Sequence, residues 1–537
     1  MGKCSQYDAI IIGAGHNGLI TAAYLGKAGK KVLLLEKRPV IGGSCVTEEV
    51  IPGFKISTTS YVCSLLRPEV IHDLELKKFG FKLLLRDPSS LSLFPDGKYF
   101  YFWRDPKKTH QEIAKLSEKD ARNWAHYHED LEQIASIVEP MMIKPALDPQ
   151  TKKIKELFEM AKLGLRVRKE DKALSNLLRM FSMSVADFLD SYFESTELKA
   201  TLATDGVIGA FAGPYMPGTA YVLFHHVMGE AEGVKGAWGY VEGGMGGITQ
   251  ALYKSATRFK VEALTNASVH KILVKNGEAY GVALQDGREF YAKAIISNAD
   301  PKKTFLDFVS SHDLPSDFIR GVKNIKFRSA SFKINLALDS LPSWKAIPGS
   351  ELGPQHRGTI HLSPSMEYIE RAFDDAKYGR PSRQPVLECT IPTSVDPTIA
   401  PLGKHIMGMF VQYFPYDLKE GNVVQEKEKF VKTCLNLLEE YAPGIQNKIS
   451  GVHALSPQDL EKEYGLTGGN LFHGEMTLDQ LLFMRPQPGW SRYRTPLPHL
   501  YLCGSGAHPG GGVLGAPGYL AAKTILSLES SRTQRTW

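Results

Sequence analysis

Residues 7–36, YDAIIIGAGHNGLITAAYLGKAGKKVLLLE, decide the fold. An apolar run from Tyr7 to Ile12 breaks at Gly13, an Ala- and Leu-rich stretch follows, and a second apolar run closes on Glu36. That order is a βαβ unit, expected to be parallel and right-handed. Between the first strand and the helix stands Gly13-Ala14-Gly15-His16-Asn17-Gly18, with GxGxxG spacing. Gly13 permits the tight turn, Gly15 lets backbone approach a pyrophosphate, Gly18 packs helix on strand, and the helix N-terminus stabilises the anion. Glu36, 18 residues after the last glycine, is placed to accept from both hydroxyls of an adenosine ribose and disfavours NADP. The competing reading is a glycine turn of purely structural use.

Ile41-Gly42-Gly43 follows soon after Glu36. Alone such a pair is a turn; behind a complete dinucleotide fingerprint it brings a second stretch of backbone to the same pyrophosphate, which NAD dehydrogenases do not need and a flavin site does. Near the other end, the loop from Gly504 to Ala516 (GSGAHPGGGVLGA) again follows a strand and opens a helix. Its helix N-terminus suits the negative charge of a reduced flavin. Pro509 spoils a second NAD fingerprint, so both glycine motifs serve one cofactor.

Outward from these ends, Asp96-Gly97 marks a hairpin within 92–103, and the period turns helical from about 107 to 200. Ser117 and Asp120 start an amphipathic helix with Ala121, Trp124, His128, Leu131, Ala135, Val138 and Met142 on one face. The glycine-rich, aromatic stretch 205–247 suits backbone packed against a ligand and is expected near the active cavity. Asn276-Gly277 and Asp286-Gly287 mark a three-stranded antiparallel excursion, and Phe332, Ile334, Leu336 and Leu338 one face of a strand in a second sheet. Helix Glu426 to Tyr441 turns Phe430, Cys434, Leu438 and Tyr441 inward.

A chain of 537 residues has room for two to four domains and a large cofactor. With 43% hydrophobic and 23% charged residues, disorder and fibrous repeats are excluded. Cysteines 4, 45, 63, 389, 434 and 503 show no metal-ligand spacing, so no metal is expected and reduced thiols are. No run reaches the ~18 apolar residues of a spanning helix, and no transit peptide is visible before Tyr7. Gly2 lacks the Ser or Thr that myristoylation requires where Gln6 stands. A net charge of +6 is too mild for a nucleic-acid partner. Nearly all of that excess sits in 151–180, where nine Lys or Arg face four acids among apolar residues such as Ile154, Leu157, Phe158 and Leu165. Either this is a solvated helix face or it is a peripheral membrane contact.

Segments such as IGAGHNGLITAAYL (12–25), IGGSCVTEEVIPGFKIS (41–57), SLLRPEVIHDLELKKFG (64–80), GAWGYVEGGMGG (236–247) and LYLCGSGAHPGGGVLGAPG (500–518) resemble the phytoene-desaturase-like, carotenoid and retinoid oxidoreductase branch of the flavin amine-oxidase superfamily. The resemblance implies an α/β fold: a Rossmann-like FAD-binding domain of glutathione-reductase type, with an inserted α+β substrate domain and a helical cap. It divides the chain into a discontinuous FAD domain (1–85, 235–300 and 485–537), a cap with part of the substrate domain (86–234) and a mixed-sheet substrate domain (301–484). The implied cofactor contacts are Gly13, Gly15, His16, Asn17, Gly18, Glu36, Lys37, Gly42, Gly43, Val269, Gly504 and Gly515, with the Val269 main chain on adenine. Many relatives carry Arg where Ser44 stands. The implied setting is mitochondrial, with a protein partner there.

A disulfide reductase would need a second cysteine at Val50 to pair with Cys45, so Cys45 reads as a packed thiol. Among side chains that carry acid or base chemistry, His508 in the flavin loop is the catalytic candidate. His225, His226 and His473 read as core histidines, and Trp238 and Tyr240 as packed aromatics or cavity lining. The function expected is an FAD-dependent oxidoreductase of desaturase or dehydrogenase type on a small apolar, lipid-like or polyene substrate, with oxygen or a quinone as acceptor. The alternatives are an amine oxidase on the same scaffold and a flavin-containing partner-binding protein without turnover.

Overall fold

The computed structural model describes residues 6–169 and 172–533. Gly2, Cys4, Glu170 and Asp171 lie outside the described residues.

Strand Tyr7–Ile12 runs in parallel between Val32–Leu35 and Glu289–Ser297, and Glu262–Leu264 extends the parallel order beyond Val32–Leu35. These strands are almost continuously apolar because helices cover them. Helix His16–Lys27 packs against Gly246–Arg258 and against Ala516–Thr533. Strand Glu289–Ser297 changes neighbours along its length. Its first residues pair antiparallel with Glu278–Leu284, the second strand of the excursion that starts at Val269–Lys275, and its last residues pair parallel with Leu500–Leu502. Three distant parts of the chain thus meet at the end of one sheet. The excursion turns where expected, with Asn276 at φ 52° and Gly277 at φ 75°.

A second seven-stranded sheet has the order Ile449–Leu455, Ser331–Leu338, His405–Gln412, Val386–Thr390, Thr359–Leu362, Ser90–Leu93, Tyr99–Phe102. Only the Thr359–Leu362 and Ser90–Leu93 pair is parallel. The period of two sorts its side chains. Phe332, Ile334, Leu336, Leu387, Cys389 and Met409 face a core closed by Phe430, Cys434 and Leu438 of helix Val423–Tyr441. The intervening residues, among them Lys333, His361, Glu388 and Phe410, take the other face, and all four are buried.

Helices between 106 and 227, apart from Ile154–Lys169, share a separate apolar core. Ser117 caps helix Glu118–Met142 by accepting from the Asp120 amide, as the sequence indicates. The buried face differs from the expected one. Ala121, Leu131, Val138 and Met142 are buried, but His128 is exposed and Tyr127 is buried in its place, packed on Trp124 and Phe193. The larger apolar surface of the tyrosine wins the interior. No helix among the described residues is long and apolar enough to cross a membrane.

Candidate functional site

A cavity of about 1360 Å³ opens between the two sheets and the helical layer. One end lies at the carboxyl ends of the parallel strands, where ligands bind in open α/β sheets. The Gly13 amide donates to Leu35 O at 2.7 Å, and Gly15 bridges to Gly42, which closes two glycine turns on each other. A methyl on Gly43 would stand 3.2 Å from the Gly15 Cα, so this wall has no room for side chains. Gly13, Gly15 and Gly43 line the cavity with His16 and Asn17, and helix His16–Lys27 starts there with no side-chain cap. Its first amides are therefore left for an anion.

Glu36 is 5% exposed. Its oxygens accept from the Ala14 amide and the Arg38 amide, each at 2.9 Å. A carboxylate offers about four acceptor positions, so the two amides fix Glu36 and leave capacity for ribose hydroxyls. Lys37, Ala267, Ser268, Val269 and Gln285 surround it at this end of the cavity.

Asn17 joins the chain ends: its Nδ2 donates to Ser505 Oγ at 3.3 Å, and its Oδ1 accepts from the Gly518 amide at 3.3 Å. Ser505, Gly512 and Val513 line the cavity, as do Ser44, Cys45 and Tyr61. Cys45 Sγ donates to Met245 O, and burial pushes its thiol pKa well up, which fits packing rather than redox reactivity. Gly18, Gly42, Gly504 and Gly515 do not line the cavity. Gly18 packs on Gly13, Gly42 on Cys45 and Thr249, Gly504 on Asn298, and Gly515 on Ile20 and Leu66.

His508 also lies off the cavity. It is buried, its Nε2 donates to Met141 O at 3.2 Å, and burial lowers its pKa to about 4. Its position on the helical layer gives it a packing contact in place of the expected view of the reacting atoms. His225 donates to Gly511 O at 3.0 Å and so backs the C-terminal loop. His16, His226 and His473 line the cavity, and burial holds His16 and His473 at about 4, neutral at physiological pH. His16 Nε2 and His473 Nδ1 are buried without a partner, as polar atoms awaiting a ligand are. Trp238 lines the cavity; Tyr240 is buried behind it.

Two features are absent from the sequence reading. Arg485, 2% exposed, donates to the carbonyls of Ser505, Gly474, Glu475, Gln480 and Phe472, and so holds the C-terminal glycine loop to the chain before it. The second is a charged patch on the cavity wall far from Glu36. Tyr61 OH donates to Glu388 Oε1 at 2.7 Å, and Arg86 Nη1 donates to Thr359 Oγ1 at 2.6 Å. Asp205 and His361 share that wall. Burial and the Glu388 charge push Asp205 up to about 7, burial lowers His361 to about 3, and burial lowers Lys333, behind Tyr61, to about 7. The available signal was one ionisable residue inside an apolar strand, Glu388 in VLECT and Lys333 in SFKINLAL.

A fixed carboxylate, a wall without side chains, an uncapped helix start and unsatisfied buried nitrogens fit FAD. The flavin containing amine oxidoreductase family matches residues 18–454. The chain is 42% identical to "Pyridine nucleotide-disulfide oxidoreductase domain-containing protein 2" of Rattus norvegicus over 97% of this chain and 93% of that protein. It is 25% identical to "Phytoene desaturase (lycopene-forming)" of Pantoea ananas, covering 97% and 98% of the two chains. Cyclohexylamine oxidase from Brevibacterium oxydans shares the fold, with a TM-score of 0.59 at 17% identity over 98% of this chain and 99% of that one. A glycine cradle built for a dinucleotide and a family match over most of the length agree: this chain belongs to the flavin containing amine oxidoreductase family and is an FAD-dependent oxidoreductase.

Proposed function

We propose that the protein dehydrogenates or desaturates an apolar, lipid-like or polyene substrate and passes the electrons to oxygen or a quinone. The observation that carries this reading is the cavity that the glycine turns open into. Its ~1360 Å³ exceeds the roughly 300–1,000 Å³ of an ordinary ligand pocket. It continues from the glycine cradle to Phe102, Trp124, Trp238 and Phe410, leaving an aromatic-walled arm for a second ligand. The likeness to a phytoene desaturase supports an apolar substrate.

Bound FAD would supply the acceptor for the two electrons, taken from the substrate as one hydride, while the second hydrogen leaves as a proton. The chain's own residues bind and orient. Gly13, Gly15 and Gly43 would give the pyrophosphate main-chain approach, Glu36 would take the ribose, the Val269 main chain would meet the adenine, and the loop from Gly504 to Gly515 would frame the ring. Asn17 and Arg485 fix that loop. The aromatic arm excludes water and holds the reacting carbon in one orientation.

Helix Ile154–Lys169 supports delivery from a membrane. Ile154 is 84%, Phe158 68% and Leu165 59% exposed. At helical spacing these form one outward stripe, with Lys155 and Lys162 on its flank, while Glu156 on the opposite side pairs with Arg492. An anionic bilayer surface is the occupant that matches both the apolar stripe and the basic flank. Mitochondrial residence with a protein partner there belongs to the same proposal and rests on family resemblance; organelle fractionation tests it. The catalytic reading is tested by anaerobic reduction of the FAD-loaded protein with lipid and polyene extracts.

A further inference from the structure

The wall that carries Tyr61, Arg86, Asp205, His361 and Glu388 is out of character for a cavity serving a pure hydrocarbon. Buried charges are costly unless paired, and a hydrocarbon satisfies none of them. Here Glu388 is 6% and Arg86 4% exposed, and both line the cavity. Lys333, 2% exposed, places its Nζ 4.2 Å from the centre of the Tyr61 ring and has no hydrogen-bond partner.

The ionisable groups balance by sign, two basic (Arg86 and Lys333) against two acidic (Asp205 and Glu388). A charged end of either sign would meet as many like as opposite groups and would add a net charge to a balanced, desolvated space. A hydroxyl needs one donor and one acceptor, and this wall offers both without adding charge. Its hydrogen bonds to ionised groups would be among the stronger ones. Secondary structure fixes the arrangement: Lys333, Phe410, Glu388 and His361 stand in register across four neighbouring strands, on the face opposite the apolar core.

We propose that this wall binds the neutral, hydroxyl-bearing end of an otherwise apolar substrate. The inference rests on the reading of the cavity as the place of FAD plus an apolar ligand, and it narrows that ligand's class.

The test uses the FAD-loaded full chain and four probes of one chain length: n-decanol, n-decane, n-decylamine and n-decanoate. Binding is read by equilibrium dialysis and by perturbation of the flavin absorption spectrum. The expected result is n-decanol binding at least about tenfold tighter than each of the others. Arg86→Met and Glu388→Gln should each erase most of that preference while FAD content, measured separately, is retained. Equal binding of n-decane and n-decanol, or tighter binding of either charged probe, overturns the inference and leaves the apolar reading standing. If none of the four binds, the apolar reading itself fails. The comparison in the unmodified protein decides the matter even where a variant does not fold.

Discussion

A methyl group on Gly18 would sit 2.2 Å from the Gly13 carbonyl oxygen. Gly18→Ala must therefore part helix from strand, and it is expected to cost ~1–3 kcal/mol and much of the bound FAD. Gly29→Ala, at φ +79° with nothing nearby, is the control and should cost ~1 kcal/mol from backbone strain alone, with FAD content unchanged. Thermal melts and flavin content distinguish them. Glu36→Ala should weaken FAD binding about 10- to 100-fold, the loss of hydrogen bonds to a charged acceptor. The places of these residues were legible in the sequence because local backbone geometry sets them. Asp205 was not, since its surroundings come from distant strands. It faces the charges of Glu388 and Arg86 and the phenols of Tyr61 and Tyr127. With its pKa pushed up to about 7, above the ordinary 3.8, the folded state binds this proton more tightly. That stabilisation is whole below pH ~4 and is lost as pH rises through about 7, at most ~4 kcal/mol. Asp205 thus contributes a fall in stability between about pH 4 and pH 7, set against the rise that the buried neutral histidines give over much of the same range. It is therefore read as the difference in melting between the unmodified FAD-loaded protein and Asp205→Asn, which should shrink as pH rises through about 7; a difference that does not change with pH contradicts the assignment.

Elements were legible in proportion to how strongly their pattern repeats. The strand Ser331–Leu338 announces its apolar face through Phe332, Ile334, Leu336 and Leu338. The same alternation implies that Lys333 points the other way, but what it meets depends on Tyr61, which is far off in sequence. In helix Glu118–Met142 the face was misjudged at His128, because three- and four-residue spacing also admits the larger Tyr127. Helix Ile154–Lys169 carries a prediction of its own. Vesicles containing phosphatidylserine should bind the protein, and added salt should release it. Exchanging Lys155 and Lys162 for Glu should weaken binding about 10-fold or more, at ~1 kcal/mol per cation removed and a further loss for the added charge. Phe158→Asp should weaken it similarly, with FAD content unchanged. Binding that ignores both changes removes the membrane contact.

At the scale of the molecule, the sequence pointed to both ends of the chain serving one cofactor, and the pairing of Leu500–Leu502 with Glu289–Ser297 brings them together. What motifs did not reveal is the agent that holds the final loop, Arg485. Its five carbonyl partners lie between Phe472 and Ser505, and a guanidinium without a carboxylate has no sequence signature. Arg485→Met should leave those carbonyls unsatisfied, destabilise the fold by several kcal/mol at ~1–3 kcal/mol per buried group, and release FAD at a lower temperature than the bulk unfolding of the unmodified protein. The whole account turns on one cavity that holds one flavin beside an apolar arm, with no nicotinamide site. The most direct measurement is the visible spectrum of the FAD-loaded protein under anaerobic conditions, first with NADH and then with apolar lipid or polyene extracts. The account predicts that the flavin band persists in NADH and bleaches with a component of the extracts; bleaching by NADH alone would contradict it.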